Sequence, residues 1–233
     1  MSRRDKALAL ALTVLVAVVV AAGAITAKRA VSATLPPTTT SEDMSAIKAD
    51  IEAIAESDSP GPPSSNPFDY ADSPALQRLV AKGTPALPAI EARLRESSVN
   101  GLSEYLLLVA ALQITKIDVA GGPNDSALRE VDSAKQWPDA WRSYRKAVPG
   151  WAKEILASQM PVAEKNRALT ALGTPALPTI LDEIAAGHYE LSPAADALVQ
   201  GCVEVDGAVD VHVTPKWARA NGGRFALLRS LSE

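Results

Sequence analysis

One octapeptide occurs twice in this chain, and it constrains the fold more than any other feature. Gly83-Thr-Pro-Ala-Leu-Pro-Ala-Ile90 recurs as Gly173-Thr-Pro-Ala-Leu-Pro-Thr-Ile180, with seven of eight residues identical and 90 positions between the copies. Glycine ends helices cheaply in the left-handed cap conformation, and proline fits the first turn of a new helix, where its missing N–H costs nothing. Each copy therefore predicts two antiparallel helices joined by a minimal turn, with Thr84 and Thr174 capping the second helix.

A third helix is predicted after each copy of the octapeptide. Gly101-Leu-Ser-Glu-Tyr105 opens an apolar run that extends to Ile114, and Glu190-Leu-Ser-Pro-Ala194 opens a second run. Ser103 and Ser192 are the expected N-caps of these helices. Because the first run is apolar on nearly all sides, we expect its helix to lie at the centre of the packing.

Each copy is also followed, further along the chain, by a polar loop and an aromatic helix. These helices contain Trp137 to Tyr144 in one case and Trp217 in the other. A helical group of this kind cannot bury its apolar face alone, so stacking must complete the core. The sequence thus predicts an all-α domain over residues 73–233, a short α-solenoid with units at about 73–148 and 149–233. Val203–Val213 is the one alternating stretch, and it predicts a small hairpin around Asp206-Gly207.

The segment Leu169-Thr-Ala-Leu-Gly-Thr-Pro-Ala-Leu-Pro178, followed by an apolar helix and a Trp-rich segment, resembles bacterial HEAT-like repeat proteins. The run at 101–105 is similar to one found in exported members of that group. The resemblance covers roughly residues 73–230. It implies a binding surface built from helical pairs, and it brings no catalytic residues with it.

The N-terminus predicts a membrane segment over residues 1–29. Ala7 to Ala27 is a run of 21 residues without charge, flanked by Arg3, Arg4 and Lys6 on one side and by Lys28 and Arg29 on the other. About 20 helical residues cross a bilayer, so the run is long enough to be an uncleaved anchor. A signal peptide cleaved near Ala27 or Ala33, with secretion of the remainder, is the competing interpretation. The anchor interpretation places the protein in the cell membrane as a single-pass protein with its C-terminal domain outside.

Residues 30–72 read as a Pro/Ser/Thr-rich stalk that stays extended. Within it, residues 41–57 place Met44, Ile47, Ile51 and Ile54 on one helical stripe, with Ser41 as the expected N-cap. One interpretation is a helix that binds a partner or self-associates. The other, which we favour, is a helix that docks on the main domain or lies near the membrane.

Charge limits the class of partner. Residues 30–233 carry 18 basic and 26 acidic side chains, a formal charge of −8. An acidic domain repels phosphate backbones and anionic lipid, so neither nucleic acid nor an anionic membrane surface is the expected partner. We expect a protein partner, a monomeric domain and no cofactor.

No catalytic constellation stands out. His188, His212 and the single cysteine, Cys202, lack the spacing of zinc or nucleophile motifs, and Cys202 reads as a small buried hydrophobe. Glu204, Asp206 and Asp210 lack the ligand order of an EF-hand. We therefore expect a non-enzymatic, membrane-tethered binding or scaffolding module. The alternative is an envelope-acting hydrolase whose acidic site would pair Glu104 with Asp182 or Glu183.

The best candidate for partner binding is the aromatic and basic segment that starts at residue 137. Trp, Tyr and Arg are the residue types enriched at binding hot spots. The competing interpretation is that the tryptophans fill the groove between repeats while the arginines are solvated. The candidate residues are Trp137, Trp141, Arg142, Tyr144 and Arg145.

Overall fold

The computed structural model describes residues 40–56, 73–99, 101–117, 131–200, 202–205 and 211–233. Every regular element within these ranges is helical, which confirms the all-α prediction for this part of the chain. The α-helices are α1 (Ser41–Ala55), α2 (Pro74–Ala81), α3 (Leu87–Glu96), α4 (Leu102–Thr115), α5 (Val131–Ala157), α6 (Val162–Ala171), α7 (Leu177–Ala186), α8 (Ser192–Val199), α9 (Pro215–Asn221) and α10 (Ala226–Ser232). Single 3-10 turns lie at Thr84–Ala86, Thr174–Ala176, Tyr189–Leu191, Val203–Val205 and Gly222–Phe225.

Two sequence predictions fall partly or wholly outside the described residues. The predicted anchor, 1–29, lies outside them, and none of the described helices has both the length and the apolar character to cross a membrane. The hairpin prediction is wrong at Val203–Val205, which forms a 3-10 turn, because local i to i+3 bonding there replaces strand pairing. Its central turn, Asp206-Gly207, is not among the described residues.

The two octapeptides form the same turn, though not in the conformation expected. Gly83 has φ 63° and ψ −148°, and Gly173 has φ 71° and ψ −168°. The positive φ was expected, but the extended ψ places both residues in a region that is essentially reserved for glycine. Neither Thr84 nor Thr174 makes a side-chain cap, because a 3-10 turn stands between each glycine and the following α-helix.

Three other predicted caps are shifted or replaced. Thr40, one residue before Ser41, caps α1, and its hydroxyl and N–H form a reciprocal capping box with Asp43. The cap of α4 is Gly101, whose N–H donates to the Glu104 carboxylate at 2.9 Å, so Ser103 lies inside the helix. Ser192 is the first residue of α8, and its hydroxyl donates to the carbonyl oxygen of Val213.

Helix α1 docks on the main domain, which agrees with the favoured interpretation. Ile47, Ile51 and Ile54 are buried in the contact with α2 and α4. Asp50 adds an ion pair to Arg78 of α2, with 2.7 Å between Nε and Oδ1.

Helix α4 lies at the centre of the first half of the domain, as its composition indicated. Every side chain from Glu104 to Ala111 is buried, together with Ile114 and Thr115. The helix packs against α1, α2, α3 and α5. Such a helix can be apolar on nearly all sides because most of its surface is covered by neighbouring helices.

One long helix joins two hydrophobic clusters. The first cluster contains side chains of α1 to α4 with Trp137 and Trp141 of α5, and the second contains Val148 and Ala152 of α5 with side chains of α6 to α10. Helix α5 runs for 27 residues and continues through Pro138 and Pro149. The unit boundary predicted at 148/149 therefore lies inside a helix. The aromatic helix of the first half also contributes core side chains to the second half.

Candidate functional site

Trp137 and Trp141 lie in the core. Both side chains are fully buried, and their rings stack with centroids 5.5 Å apart and an interplanar angle of 8°. Stacked aromatic pairs add about 0.5–1.5 kcal/mol to the effect of area burial. Since neither ring reaches solvent, both residues are removed from the candidate partner-binding surface, and the competing interpretation as groove-filling side chains describes them better.

Tyr144 contacts both halves of the domain. Its ring packs against each of the two hydrophobic clusters and meets Trp151 edge to face, with centroids 5.3 Å apart. Its hydroxyl donates to the carbonyl oxygen of Leu172 at 3.2 Å. Burial raises the pKa of Tyr144 to about 12, so the phenol stays protonated and keeps donating at neutral pH.

Arg142 and Arg145 share one buried carboxylate with a third arginine. Glu91 of α3 is 7% exposed. Its Oε1 lies 2.6 Å from Arg95 and 3.4 Å from Arg142, and its Oε2 lies 3.3 Å from Arg145. The guanidinium of Arg145 also lies over the Trp141 ring, 5.9 Å from its centroid. One negative charge thus faces three positive charges, which leaves this contact between α3 and α5 with a surplus of positive charge.

The surplus continues along the exposed side of α5. Lys135, Asp139, Arg142, Lys146 and Lys153 follow at spacings of 4, 3, 4 and 7, which places them on one narrow stripe at 3.6 residues per turn. The lysines and Asp139 are exposed, and Arg142 is 43% exposed. We call this stripe, together with Arg95 and Arg145 and the carboxylate of Glu91 beneath them, the basic face. It holds six basic and two acidic side chains, a formal charge of +4, whereas the rest of residues 73–233 carries a formal −5.

A small open depression lies at one end of the basic face. It has a volume of about 180 Å³ and is lined by Leu94, Arg95, Ser97, Lys135, Pro138 and Asp139. Lys135 Nζ donates to the carbonyl oxygen of Ser98 at 3.2 Å, which connects α5 to the end of α3. Its lining thus combines the apolar side chains of Leu94 and Pro138 with the charged side chains of Arg95, Lys135 and Asp139.

A second link between the halves runs through Lys116. This residue has φ 57° after the last turn of α4, and its ammonium donates to the carbonyl oxygens of Ala197, Leu198 and Gln200 at 3.0, 2.9 and 2.7 Å. Burial lowers the pKa of Lys116, and neighbouring Cys202 opposes that shift. Positive charge at the carbonyl end of α8 is electrostatically favourable.

Cys202 is a buried thiol. Its Sγ lies 3.0 Å from the Leu198 carbonyl oxygen, and burial followed by the charge of Glu204 raises its pKa to about 11, against a smaller opposing effect of Lys116. A thiol with a raised pKa is a poor nucleophile. This supports its interpretation as a small buried hydrophobe.

The carboxylates proposed for a hydrolase have separate structural partners. Burial raises the pKa of Glu104. Hydrogen bonds from Ser97, Gly101 and Ser103 together lower it by more, so the net pKa lies below the ordinary value. Asp182 instead forms a bidentate pair with Arg229, with distances of 2.8 and 2.9 Å. In the structure, therefore, these residues serve as a helix cap and as a clamp between α7 and α10.

The remaining candidates for chemistry are dispersed. His188 lies beside Glu183 and Glu190, and His212 bonds Asp196 at 2.9 Å. Among the described residues, no three His, Cys, Asp or Glu side chains are placed to hold one metal ion. Asp206 and Asp210, named above with Glu204, lie outside the described residues.

Comparison with known proteins gave no relative. No protein-family model, curated protein or solved structure matches this chain.

Proposed function

We propose that this protein is a membrane-tethered, extracytoplasmic binding module of HEAT-like helical repeats, and that it engages another protein through the basic face. The observation that carries the proposal is that α5 is fixed in the domain by one buried side and exposes the basic face on the other. Trp137, Trp141, Val148 and Ala152 hold one side of α5 in both hydrophobic clusters. The opposite side presents charged side chains to solvent, and the backbone of a rigid helix has little entropy to lose on binding.

The tether rests on the sequence. The 21 uncharged residues from Ala7 to Ala27 have the length of a bilayer-spanning helix. The Pro/Ser/Thr-rich residues that follow supply a spacer. Docking of α1 on α2 and α4 fixes where that spacer reaches the domain.

Site-specific photo-crosslinking tests the proposal without assuming the chemistry of the partner. A photoreactive phenylalanine analogue is placed at Lys146 or Lys153 of the full-length chain, and matched controls carry it at Lys48 of α1 or Arg167 of α6, which are also exposed. In native membranes we expect crosslinks to another protein from the labels at Lys146 and Lys153 alone. Crosslinks from neither pair, or with equal yield from both pairs, contradict the proposal.

A further inference from the structure

We infer that the partner presents an acidic, extended peptide segment to the basic face, with its carboxylates lying along α5. This inference rests on the proposed function and adds the chemistry of the partner. It begins from a local reversal of charge, since the face carries +4 while the rest of residues 73–233 holds 11 basic and 16 acidic side chains, a formal −5. A reversal of this kind steers a segment of opposite charge to one place and repels it from the rest of the surface.

The cations of the face are incompletely neutralised. Arg95, Arg142 and Arg145 share the single carboxylate of Glu91, and Arg142 reaches Asp139 only at 3.5 Å. Within the described part of the chain, Lys146 and Lys153 have no acidic partner within ion-pair distance. Guanidinium groups bind carboxylates in a two-pronged geometry, so Arg95 and Arg142 retain donors for a second carboxylate beside Glu91.

The dimensions of the face match an extended segment. Lys135 and Lys153 are 18 residues apart on one helix, a separation of about 27 Å. An extended peptide advances about 3.3 Å per residue, so roughly nine residues cover the stripe. Alternate side chains of such a peptide point to the same side, and four or five carboxylates would face the four bases of the stripe.

The same geometry favours a peptide over an anionic lipid surface. A bilayer is a broad plane, so it would face side chains outside the narrow stripe as well, and the rest of residues 73–233 carries a formal −5. Charges interact over a Debye length of about 8–10 Å at physiological salt, which brings those acids into range of the lipid. A peptide lies on the stripe alone and avoids that repulsion.

Fluorescence anisotropy with a defined probe tests the inference. The probe is a labelled nonapeptide of alternating Glu and Ser, and the same peptide with Lys in place of Glu is the comparison. The full-length protein is compared with the variants K135E/K146E and K48E/R167E. Each variant reverses two exposed bases, so the change in net charge is equal, and none of the four side chains is buried.

We expect the acidic nonapeptide to bind the wild-type protein and the K48E/R167E variant alike, and to bind the K135E/K146E variant about tenfold more weakly. The basic nonapeptide should bind none of them comparably. Equal weakening by both variants would show a response to net charge alone and would overturn the inference. The inference would also be overturned if the acidic peptide did not bind. The same holds if the protein bound phosphatidylglycerol vesicles through Lys135 and Lys146 but did not bind the peptide. If the label at Lys146 crosslinks to another protein while the acidic peptide does not bind, the proposed function stands and only the inferred acidic character of the partner is overturned.

Discussion

The Tyr144 hydroxyl donates a hydrogen bond to the carbonyl oxygen of Leu172 at 3.2 Å, and this contact ties α5 to the second glycine turn. Leu172 directly precedes Gly173, so the bond fixes one octapeptide against the helix that both clusters share. Tyr144 was proposed from the sequence as a partner-binding residue, yet the structure shows it joining the two halves of the domain.

Tyr144→Phe should lower the free energy of unfolding by about 0.5–1.5 kcal/mol, because the part-buried carbonyl of Leu172 loses its donor while the ring stays. Urea denaturation of the full-length protein measures the effect. Tyr189→Phe is the control, since Tyr189 is 70% exposed and its change should stay within about 0.5 kcal/mol. Equal effects of the two substitutions would mean that the Leu172 bond contributes nothing measurable.

Stability should decline in alkali in two overlapping steps. The folded-state pKa of Tyr144 is about 12, above its ordinary value of 10.0, so its contribution is complete below pH 10 and is lost as pH rises through 12. Cys202, raised from 9.0 to about 11, contributes in the same direction between pH 9 and 11. Tyr144→Phe should flatten the decline between pH 10 and 12, and Cys202→Ala should flatten it between pH 9 and 11. Unchanged slopes would contradict both assignments.

The two repeat glycines should be intolerant of any side chain. Gly83→Ala should cost about 1–3 kcal/mol for its glycine-only backbone conformation. Gly173→Ala should cost more than backbone strain alone, because its Cβ would lie 2.3 Å from Ile117 Cγ2 and 2.4 Å from the Thr115 carbonyl oxygen. Thermal denaturation compares them with Gly150→Ala, a helical position with open space, where we expect a gain of up to about 1 kcal/mol. Tolerance at either repeat glycine would show that its turn is not formed as described.

Glu91→Gln should destabilise the contact between α3 and α5 by about 1–3 kcal/mol, because three guanidinium groups then lose the one buried carboxylate that they share. The matched change, Asp139→Asn, removes an acid that is 82% exposed and lies 3.5 Å from Arg142, and it should stay within about 0.5 kcal/mol. Denaturant midpoints measure both. A neutral Glu91→Gln would mean that the buried carboxylate does not hold the basic face in place.

Local chemistry explains how much of the fold could be predicted. The turns at Gly83 and Gly173 and the central position of α4 follow from residues adjacent in sequence, and each was expected. Caps were missed by one or two residues; at α1 both Thr40 and Ser41 are good capping residues, and the local capping box of Thr40 with Asp43 selects Thr40. The bonds of Lys116 to α8 span about 80 residues, and no local pattern could show them.

The candidate site was predicted only in part. Tryptophan and arginine are enriched both at interfaces and in filled grooves, so composition could not decide that Trp137 and Trp141 are buried. Glu91 was missed because two of its three arginine partners are 51 and 54 residues away. The spacing of Lys135, Arg142, Lys146 and Lys153 was a usable signal, but it appears only when α5 is one helix, and the predicted boundary at 148/149 divided it.

The continuity of α5 therefore decides whether the basic face exists, and a distance measurement across it tests the account most directly. Nitroxide labels at Lys135→Cys and Lys153→Cys, with Cys202→Ala to remove the native thiol, lie on the same side of α5, 18 residues apart. Double electron–electron resonance should give one narrow distribution corresponding to a Cα separation of about 27 Å. A broad distribution, or one centred below about 20 Å, would show that the helix breaks near Pro149, and it would contradict both the single basic face and the partner proposed for it.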